Sequence, residues 1–233
     1  AAQELSAGQK IRAAAGGVAG PLDREKTRLV RSPHVSGWIG KPLKEELQRI
    51  LGAPVYLEND AAMAGLGEAA YGEGKGKRIV VYVTVSTGVG GARIVDGEID
   101  TSAMGFEPGH QIIDGGGTLC PECKSVPGYL ERCVSGSAIE RRYGKKADEI
   151  DDPKVWDEAA RFLAYGLNNS IVHWSPEVVI LGGSVMQKIP LGRVREYLTD
   201  ILKIFPEPPL IRKAVLGDFV GLYGALQFLR KRE

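Results

Sequence analysis

Apolar residues recur along this chain with two periods, one of about 3.6 residues that is typical of helices and one of about two residues that is typical of strands. The segment KPLKEELQRILG predicts a helix over about residues 42–51 that ends at Gly52, and PVYLEND predicts a short strand leading into an alanine-rich helix over 61–71. Two β-branched runs in RIVVYVTVSTGVGGARIVDGEI predict strands joined by a glycine-rich turn, with a further hairpin turn at Asp96 and Gly97. Helices and strands alternate, which predicts the α/β class.

Further elements are predicted on either side of these segments. Residues 5–15 read as a helix, and GGVAGPLD after them is a glycine- and proline-rich break at the end of a buried strand. Apolar spacing over 152–174 predicts a long amphipathic helix, followed by the strand EVVILGG and a closing helix over 221–230.

Composition narrows the classes of function. The chain has 233 residues, of which 43% are hydrophobic and 25% charged, so it is a globular protein with a sizeable core. Its 30 basic residues balance 29 acidic ones and are scattered along the sequence, which makes nucleic acid a poor default partner. No targeting segment is recognisable, and no apolar run approaches the roughly 18 residues of a membrane span. We therefore expect a cytoplasmic protein with no membrane partner.

The junction LENDAAMAGLGEAA carries the first candidate for chemistry. Asn59 and Asp60 lie where a strand ends and a helix begins. Asp60 in that position is either an N-cap whose carboxylate accepts the first helical amides, or a general base held at the carboxyl end of a strand, where open α/β sheets bind their ligands. Spacing alone favours the cap and leaves both roles open.

Two glycine-rich turns are the next candidates. The turn TVSTGVGGARI is either a tight hairpin or a place where backbone N–H groups approach phosphate oxygens, with Thr87 adding a hydroxyl. It is not a Walker loop, because no lysine follows the last glycine. In ILGGSV a strand runs into Gly182 and Gly183, which suits close approach of a nucleotide or serves packing only.

Taken together, these segments resemble the ROK family of sugar kinases and sugar-responsive repressors, within the actin-like ATPase superfamily. The resemblance runs in the family's order through GGVAGPLD, SPHVSGW, LENDAAMAGLGEAAYGEGKGK, TVSTGVGGARIVDGEI, GFEPGHQIID, YLERCVSGSAI, PEVVILGGSV and GLYGAL. It implies an actin-like α/β fold with two lobes, of which the first is incomplete. Residues 1–62 with 219–233 would form the partial first lobe and its C-terminal helix, and residues 63–218 the large second lobe.

The resemblance also implies roles for individual residues. Asp60 corresponds to the catalytic aspartate that takes a proton from the attacked sugar hydroxyl. The residues at sugar-binding positions are Asn59, Asp60, Glu107, His110 and Glu131. Those at nucleotide-binding positions are Thr87, Gly88, Gly90 and Gly91 on the phosphate side and Gly182 and Gly183 on the adenosine side. ATP and Mg²⁺ are the implied cofactors.

A structural zinc is implied as well, with one departure from the family pattern. His110 and Cys120 keep the family's spacing, and Cys123 follows in a C-x-x-C turn, but Tyr129 stands where the family has its last cysteine. Cys133 would supply the missing thiolate and complete a tetrahedral Zn²⁺ site that fixes the loop. The alternative is a metal-free loop with buried thiols.

The expected function is therefore ATP-dependent phosphorylation of a hexose or N-acetylhexosamine by a glucokinase-like ROK enzyme, a homo-oligomer and most simply a dimer. The alternatives are a sugar-sensing ROK regulator and a non-catalytic sugar-binding module. Family kinases begin with a D-x-G-x-T phosphate loop that does not occur before GGVAGPLD here. We therefore expect the chain to be a piece of a longer enzyme or to be completed by another polypeptide, with little kinase activity alone.

Overall fold

Helices and strands alternate along the part of the chain that the computed structural model describes, which is residues 7–32, 35–117 and 127–232. The strands are β1 (Ala14–Val18), β2 (Val55–Asn59), β3 (Ile79–Val85), β4 (Val89–Val95), β5 (Glu98–Ile99), β6 (Ile112–Asp114), β7 (Gly128–Tyr129), β8 (Val178–Gly182) and β9 (Leu210–Lys213). The α-helices are α1 (Leu43–Leu51), α2 (Asp60–Tyr71), α3 (Leu130–Val134), α4 (Gly136–Tyr143), α5 (Pro153–Trp174), α6 (Leu191–Ile201) and α7 (Val220–Arg230). The predicted α/β class is confirmed.

A five-stranded sheet forms the centre of the larger part of the molecule. Its order is β5-β4-β3-β8-β9, with β3, β8 and β9 parallel and β4 antiparallel to both of its neighbours. Side chains alternate along β3, so that Val81 and Val83 join a core with α5 and α6, whereas Val80 and Tyr82 pack with α2 and α7. Because helices cover both faces, every residue of β8 is buried.

A second, smaller sheet consists of β1 and β2 in the described residues. The two strands run parallel, from Ala14 opposite Val55 to Val18 opposite Asn59. Partly buried side chains of α1 pack against its apolar core, whose buried members are Val18, Leu22, Leu29, Val55 and Leu57. The carboxyl ends of both strands therefore lie where α2 begins.

Most of the elements predicted from the periodicity are present. The helix α1 ends at Gly52, which has a φ of 62°, and Asp152 caps the start of α5 by accepting from the backbone N–H of Lys154. The hairpin turn between β4 and β5 lies at Asp96 and Gly97, both with positive φ.

The helix predicted over residues 5–15 is wrong for the described residues 7–15. Ala14 and Ala15 belong to β1, and the backbone N–H of Ala14 donates to Pro54 O at 2.9 Å. Ala7 and Gly8 both have positive φ, which is incompatible with a right-handed helix. Pairing with β2 overrides the helical propensity of the alanines.

Two further expectations concern the whole chain. Among the described residues, no helix combines the length and apolar character needed to cross a membrane. The boundary expected between residues 62 and 63 falls inside α2, which is one continuous helix from Asp60 to Tyr71. The division into lobes at these residues stays a prediction.

Candidate active site

Asn59 and Asp60 occupy the junction between β2 and α2. The side chain of Asn59 caps the helix, because its Oδ1 accepts from the backbone N–H of Ala62 at 3.2 Å. Asp60 is the first helical residue, and its Oδ1 accepts from the backbone N–H of Ala61 at 2.9 Å. The interpretation of Asp60 as the N-cap is therefore wrong, since Asn59 has that role. Asp60 is exposed, as a group that acts on a ligand has to be.

The neighbouring strand fixes the position of Asp60. Gly17 of β1 lies so close that a Cβ atom built on it would be 2.8 Å from Asp60 Cα. Gly16, one residue earlier, has open space at the same place. The absence of a side chain at Gly17 thus allows β1 to pack directly against the backbone of Asp60.

Acidic side chains from other segments approach the same point. Glu107 immediately precedes a 3-10 turn over Pro108–His110, and Glu131 lies in the first turn of α3. Although Glu107 is exposed as a residue, desolvation of its carboxyl group raises its pKa. The charges of Glu131 and Asp60 raise this pKa further, whereas His110 lowers it. Of the five predicted sugar-site residues, Asp60, His110 and Glu131 are therefore within electrostatic reach of Glu107.

Glu131 also holds the glycine-rich turn between β3 and β4. Its Oε2 accepts from the backbone N–H of Val89 at 2.9 Å, directly after Gly88. The start of α4 holds the other side of the turn through two hydrogen bonds. The backbone N–H groups of Gly136 and Ser137 donate to Ser86 O and Thr87 O at 2.7 and 3.2 Å, respectively. The turn is anchored at both sides, and Thr87 remains exposed.

The second predicted nucleotide turn follows β8, beside the first. Thr84 of β3 pairs with Gly182 at the carboxyl ends of the two parallel strands. Gly183 has a φ of 95°, and a Cβ atom there would lie 2.2 Å from Val85 O. The glycines of both turns have protein atoms where a side chain would begin, namely at Gly88, Gly90, Gly91, Gly182 and Gly183. Packing alone thus accounts for these glycines, and their contact with a nucleotide stays a prediction.

Tyr82 and Thr84 of β3 lie beside Gly182 and Gly183 and were not predicted from the sequence as site residues. Burial raises the pKa of Tyr82 to about 12; the side-chain hydrogen bond with Thr84 acts in the opposite direction, and the charges of Glu68 and Asp60 add to the rise. The Tyr82 hydroxyl therefore stays protonated at neutral pH. Both residues looked like ordinary β-strand residues, and no local sequence signal distinguishes them.

A cleft opens next to Asn59. One wall is the loop after β1, and the other is the segment that leads from β5 to Glu107. Four charged residues that were not predicted also line it, namely Asp23, Arg24, Lys26 and Glu58. A glutamate within the apolar strand VYLEN was the available signal for Glu58; nothing in the sequence indicated Lys26.

The predicted zinc ligands are only partly described. Cys120 and Cys123 lie outside the described residues. His110 is exposed, whereas Cys133 is 1% exposed and belongs to the apolar core with Leu130 and Val134. Within residues 7–32, 35–117 and 127–232, no three His, Cys, Asp or Glu side chains form a group able to hold a metal ion. The zinc site stays a prediction.

Comparison with known proteins defines the family. Residues 2–232 match the description "ROK family". The chain belongs to the ROK family. Its relatives include a glucokinase of Thermotoga maritima, which is 30% identical over an aligned length of 263 residues, and the alignment covers 98% of this chain and 82% of the relative.

Solved ROK structures share the fold. The ROK hexokinase from Thermus thermophilus is 33% identical with a TM-score of 0.81, over 94% of this chain and 80% of the other. A ROK family glucokinase from Streptomyces griseus in complex with glucose and AMPPNP is 28% identical with a TM-score of 0.78, over 97% and 84% of the two chains. The predictions of the family, of its actin-like α/β fold and of an enzyme of the carbohydrate kinase type are confirmed.

Proposed function

We propose that the protein transfers the γ-phosphoryl group of ATP to a hydroxyl of a hexose or N-acetylhexosamine, with Asp60 as the general base. The observation that carries this proposal is the position of Asp60. It is exposed at the start of α2 and lies within electrostatic reach of Glu107. A carboxylate at a helix N-terminus is stabilised in its ionised form, which is the form that accepts a proton.

The sugar is recognised by hydrogen bonds to its hydroxyl groups. Asn59, Glu107, His110 and Glu131 supply donors and acceptors from three separate segments, so that a sugar with one inverted hydroxyl leaves a polar group unpaired. Glu131 Oε2 is engaged with Val89, and the sugar is left with the other carboxylate oxygen of Glu131.

The nucleotide side is formed by the two turns at the ends of β3 and β8. In this proposal Thr87, Gly88, Gly90 and Gly91 contact the phosphates, and Gly182 and Gly183 border the adenosine. The exposed hydroxyl of Thr87 and the anchoring of its turn by Glu131 and α4 support this assignment. Magnesium-bound ATP supplies the phosphoryl group, and positioning and electrostatics carry most of the rate.

The catalytic steps follow from this geometry. The sugar hydroxyl lies against Asp60 with its oxygen in line with the γ-phosphate. Asp60 orients the hydroxyl and removes its proton as the oxygen attacks the γ-phosphorus. The bond between the γ-phosphorus and the β–γ bridging oxygen breaks, ADP leaves with that oxygen, and the proton on Asp60 is released to solvent after the products leave. The closely placed carboxylates at Glu107 and Glu131 keep the reacting sugar oriented and take no proton from the reacting oxygen.

The test is Asp60→Asn in an active form of the protein, assayed by coupled ADP release with a panel of hexoses and N-acetylhexosamines. Loss of a general base predicts a fall in kcat of about 10² to 10⁴, with a much smaller change in sugar Kd. Asp152→Asn is the matched control, because Asp152 also begins a helix and asparagine is an equally good N-cap. Near-normal turnover of Asp60→Asn would refute the assignment of the base.

A further inference from the structure

Glu58 is a buried carboxylate one residue before Asn59. Its side chain is only 7% exposed, although it lies in the wall of the cleft. A carboxylate removed from water to this extent requires a partner of opposite charge. The partner is Lys26, whose Nζ forms an ion pair and hydrogen bond with Glu58 Oε1.

Lys26 is presented by a rigid turn in the loop that follows β1. The carboxylate of Asp23 accepts from both the backbone N–H and the hydroxyl of Thr27, each at 2.6 Å. The backbone N–H of Lys26 donates to Asp23 O at 2.9 Å, and Lys26 itself has a φ of 53°, which is uncommon for a residue with a side chain. The turn therefore fixes the direction from which Lys26 reaches Glu58.

The loop is tied at a second point to the residues of the site. Asn59 Nδ2 donates to Gly20 O at 3.5 Å, near the start of the loop. Lys26, Glu58 and Asn59 all line the cleft together with Glu107. One end of the loop is thus held by the capping residue Asn59, and its middle is held by Glu58.

We propose that the Lys26–Glu58 pair positions the loop after β1, which forms one wall of the cleft, and thereby sets the affinity and selectivity for the sugar. The inference rests on the proposed function. Lys26 and Glu58 act through the loop and through the strand end that carries Asn59 and Asp60, so they are positioning residues. Since the Lys26 side chain is still 45% exposed, the pair lies at the edge of the cleft, where loop and ligand meet.

A purely structural pair would have a different consequence. If Lys26 only neutralised the buried charge of Glu58, replacing both residues by neutral ones would restore the fold and, with it, sugar binding. If the pair positions the loop, the same double replacement restores stability but removes the contact that holds the loop, so that sugar binding stays weakened. The two explanations therefore separate when stability and sugar affinity are measured on the same variants.

The experiment compares Lys26→Met, Lys26→Arg and the double variant Lys26→Met/Glu58→Gln with the unaltered protein. Sugar Kd is measured by calorimetry with a panel of hexoses, and the free energy of unfolding by urea titration. We expect about a tenfold rise in Kd for Lys26→Met, since a charge-assisted hydrogen bond is lost. Lys26→Arg should restore most of the affinity, and the double variant should regain stability while its Kd stays raised.

The control is Arg49→Met, which breaks an exposed pair between Arg49 and Glu46 on α1 with an N to O distance of 2.8 Å. It should change neither Kd nor stability appreciably. A normal Kd in folded Lys26→Met, or a normal Kd in the double variant, would overturn the positioning role. If the unaltered protein bound no sugar of the panel, the proposed function would fail, and this inference would fall with it.

Discussion

Of the sheets in the described residues, the five-stranded sheet and the β1–β2 sheet both carry residues of the candidate site, but they are supported very differently. The strands β3 and β8 are buried between helices on both faces and end in the two glycine-rich turns. The strands β1 and β2 pair only with each other in the described residues, and four of the five residues of β1 are partly or fully exposed. Yet β2 leads directly into Asn59 and Asp60.

The two sheets therefore contribute differently: the large sheet mainly stabilises the fold, and the small sheet mainly positions polar groups of the candidate site. Apolar burial in the large sheet supplies most of the free energy of folding, because that energy scales with the apolar area removed from water. The small sheet contributes less burial and instead places polar groups through specific contacts, such as Gly17 against Asp60 and Lys26 on Glu58. Substitutions in the large sheet should therefore unfold the protein, whereas those in the small sheet should alter the site.

The largest expected effect is a loss of stability when one buried leucine is truncated in the apolar core of each sheet. Leu163→Ala, in the large core where Leu163 is fully buried, should lower the free energy of unfolding by about 4–5 kcal/mol. Leu57→Ala, in the five-residue cluster of the small sheet, should cost about 2–3 kcal/mol because this site collapses more easily. Urea unfolding followed by circular dichroism measures both. Equal costs would contradict the proposed difference in support.

A smaller effect is expected at β1, where two adjacent glycines provide a matched pair. In Gly17→Ala the new methyl group meets Asp60 Cα, so the helix start shifts and sugar Kd should rise by about tenfold, or about 1.4 kcal/mol. Gly16→Ala introduces the same methyl group into open space and should bind sugar normally. Calorimetric titration with sugar distinguishes the two. An equal response of both variants would show that the close approach at Gly17 has no influence on the site.

The smallest effect concerns pH. Desolvation, reinforced by Glu131 and Asp60 and opposed by His110, raises the pKa of Glu107 above its ordinary value of 4.5. As pH falls through this raised pKa, Glu107 is protonated and loses acceptor capacity, so sugar affinity should fall by roughly two- to fivefold. Glu107→Gln should remove this dependence. A pH profile of Kd that is the same in both proteins would exclude Glu107 as its source.

The same shift affects stability with a defined sign. The folded protein binds the proton of Glu107 more tightly than the unfolded chain does. The contribution of this group to the free energy of unfolding is therefore complete below pH 4.5 and is lost as pH rises through the raised pKa. Glu107→Gln should flatten this part of the curve of stability against pH.

The sequence was sufficient where local pattern and tertiary structure agree. The β-branched runs of β3 and β4 and the amphipathic spacing of α5 identified these elements, because each has one dominant period and clear ends. The order of the motifs identified the family, and the candidate residues Asp60, Glu107 and Glu131 came from that order.

Other features were beyond reach because they depend on contacts between distant segments. Pairing with β2 turns Ala14 and Ala15 into a strand, and a positive φ brings Lys26 to Glu58, 32 residues further along the chain. Asn59 rather than Asp60 caps α2, a difference of one position that residue preferences do not resolve because both types are good caps. Neither the pairing nor the turn has a periodic signal.

The helix α2 has a mechanical consequence. All of its residues from Ala61 to Ala69 are buried, so its body is clamped between the large sheet and α7 although its first residue follows a strand of the small sheet. Asp60 is thus the first residue of a helix whose body is held in the core of the large sheet. Because β1 packs against both the start of α2 and α7, a substitution in either sheet that shifts α2 should also shift the Asp60 carboxylate.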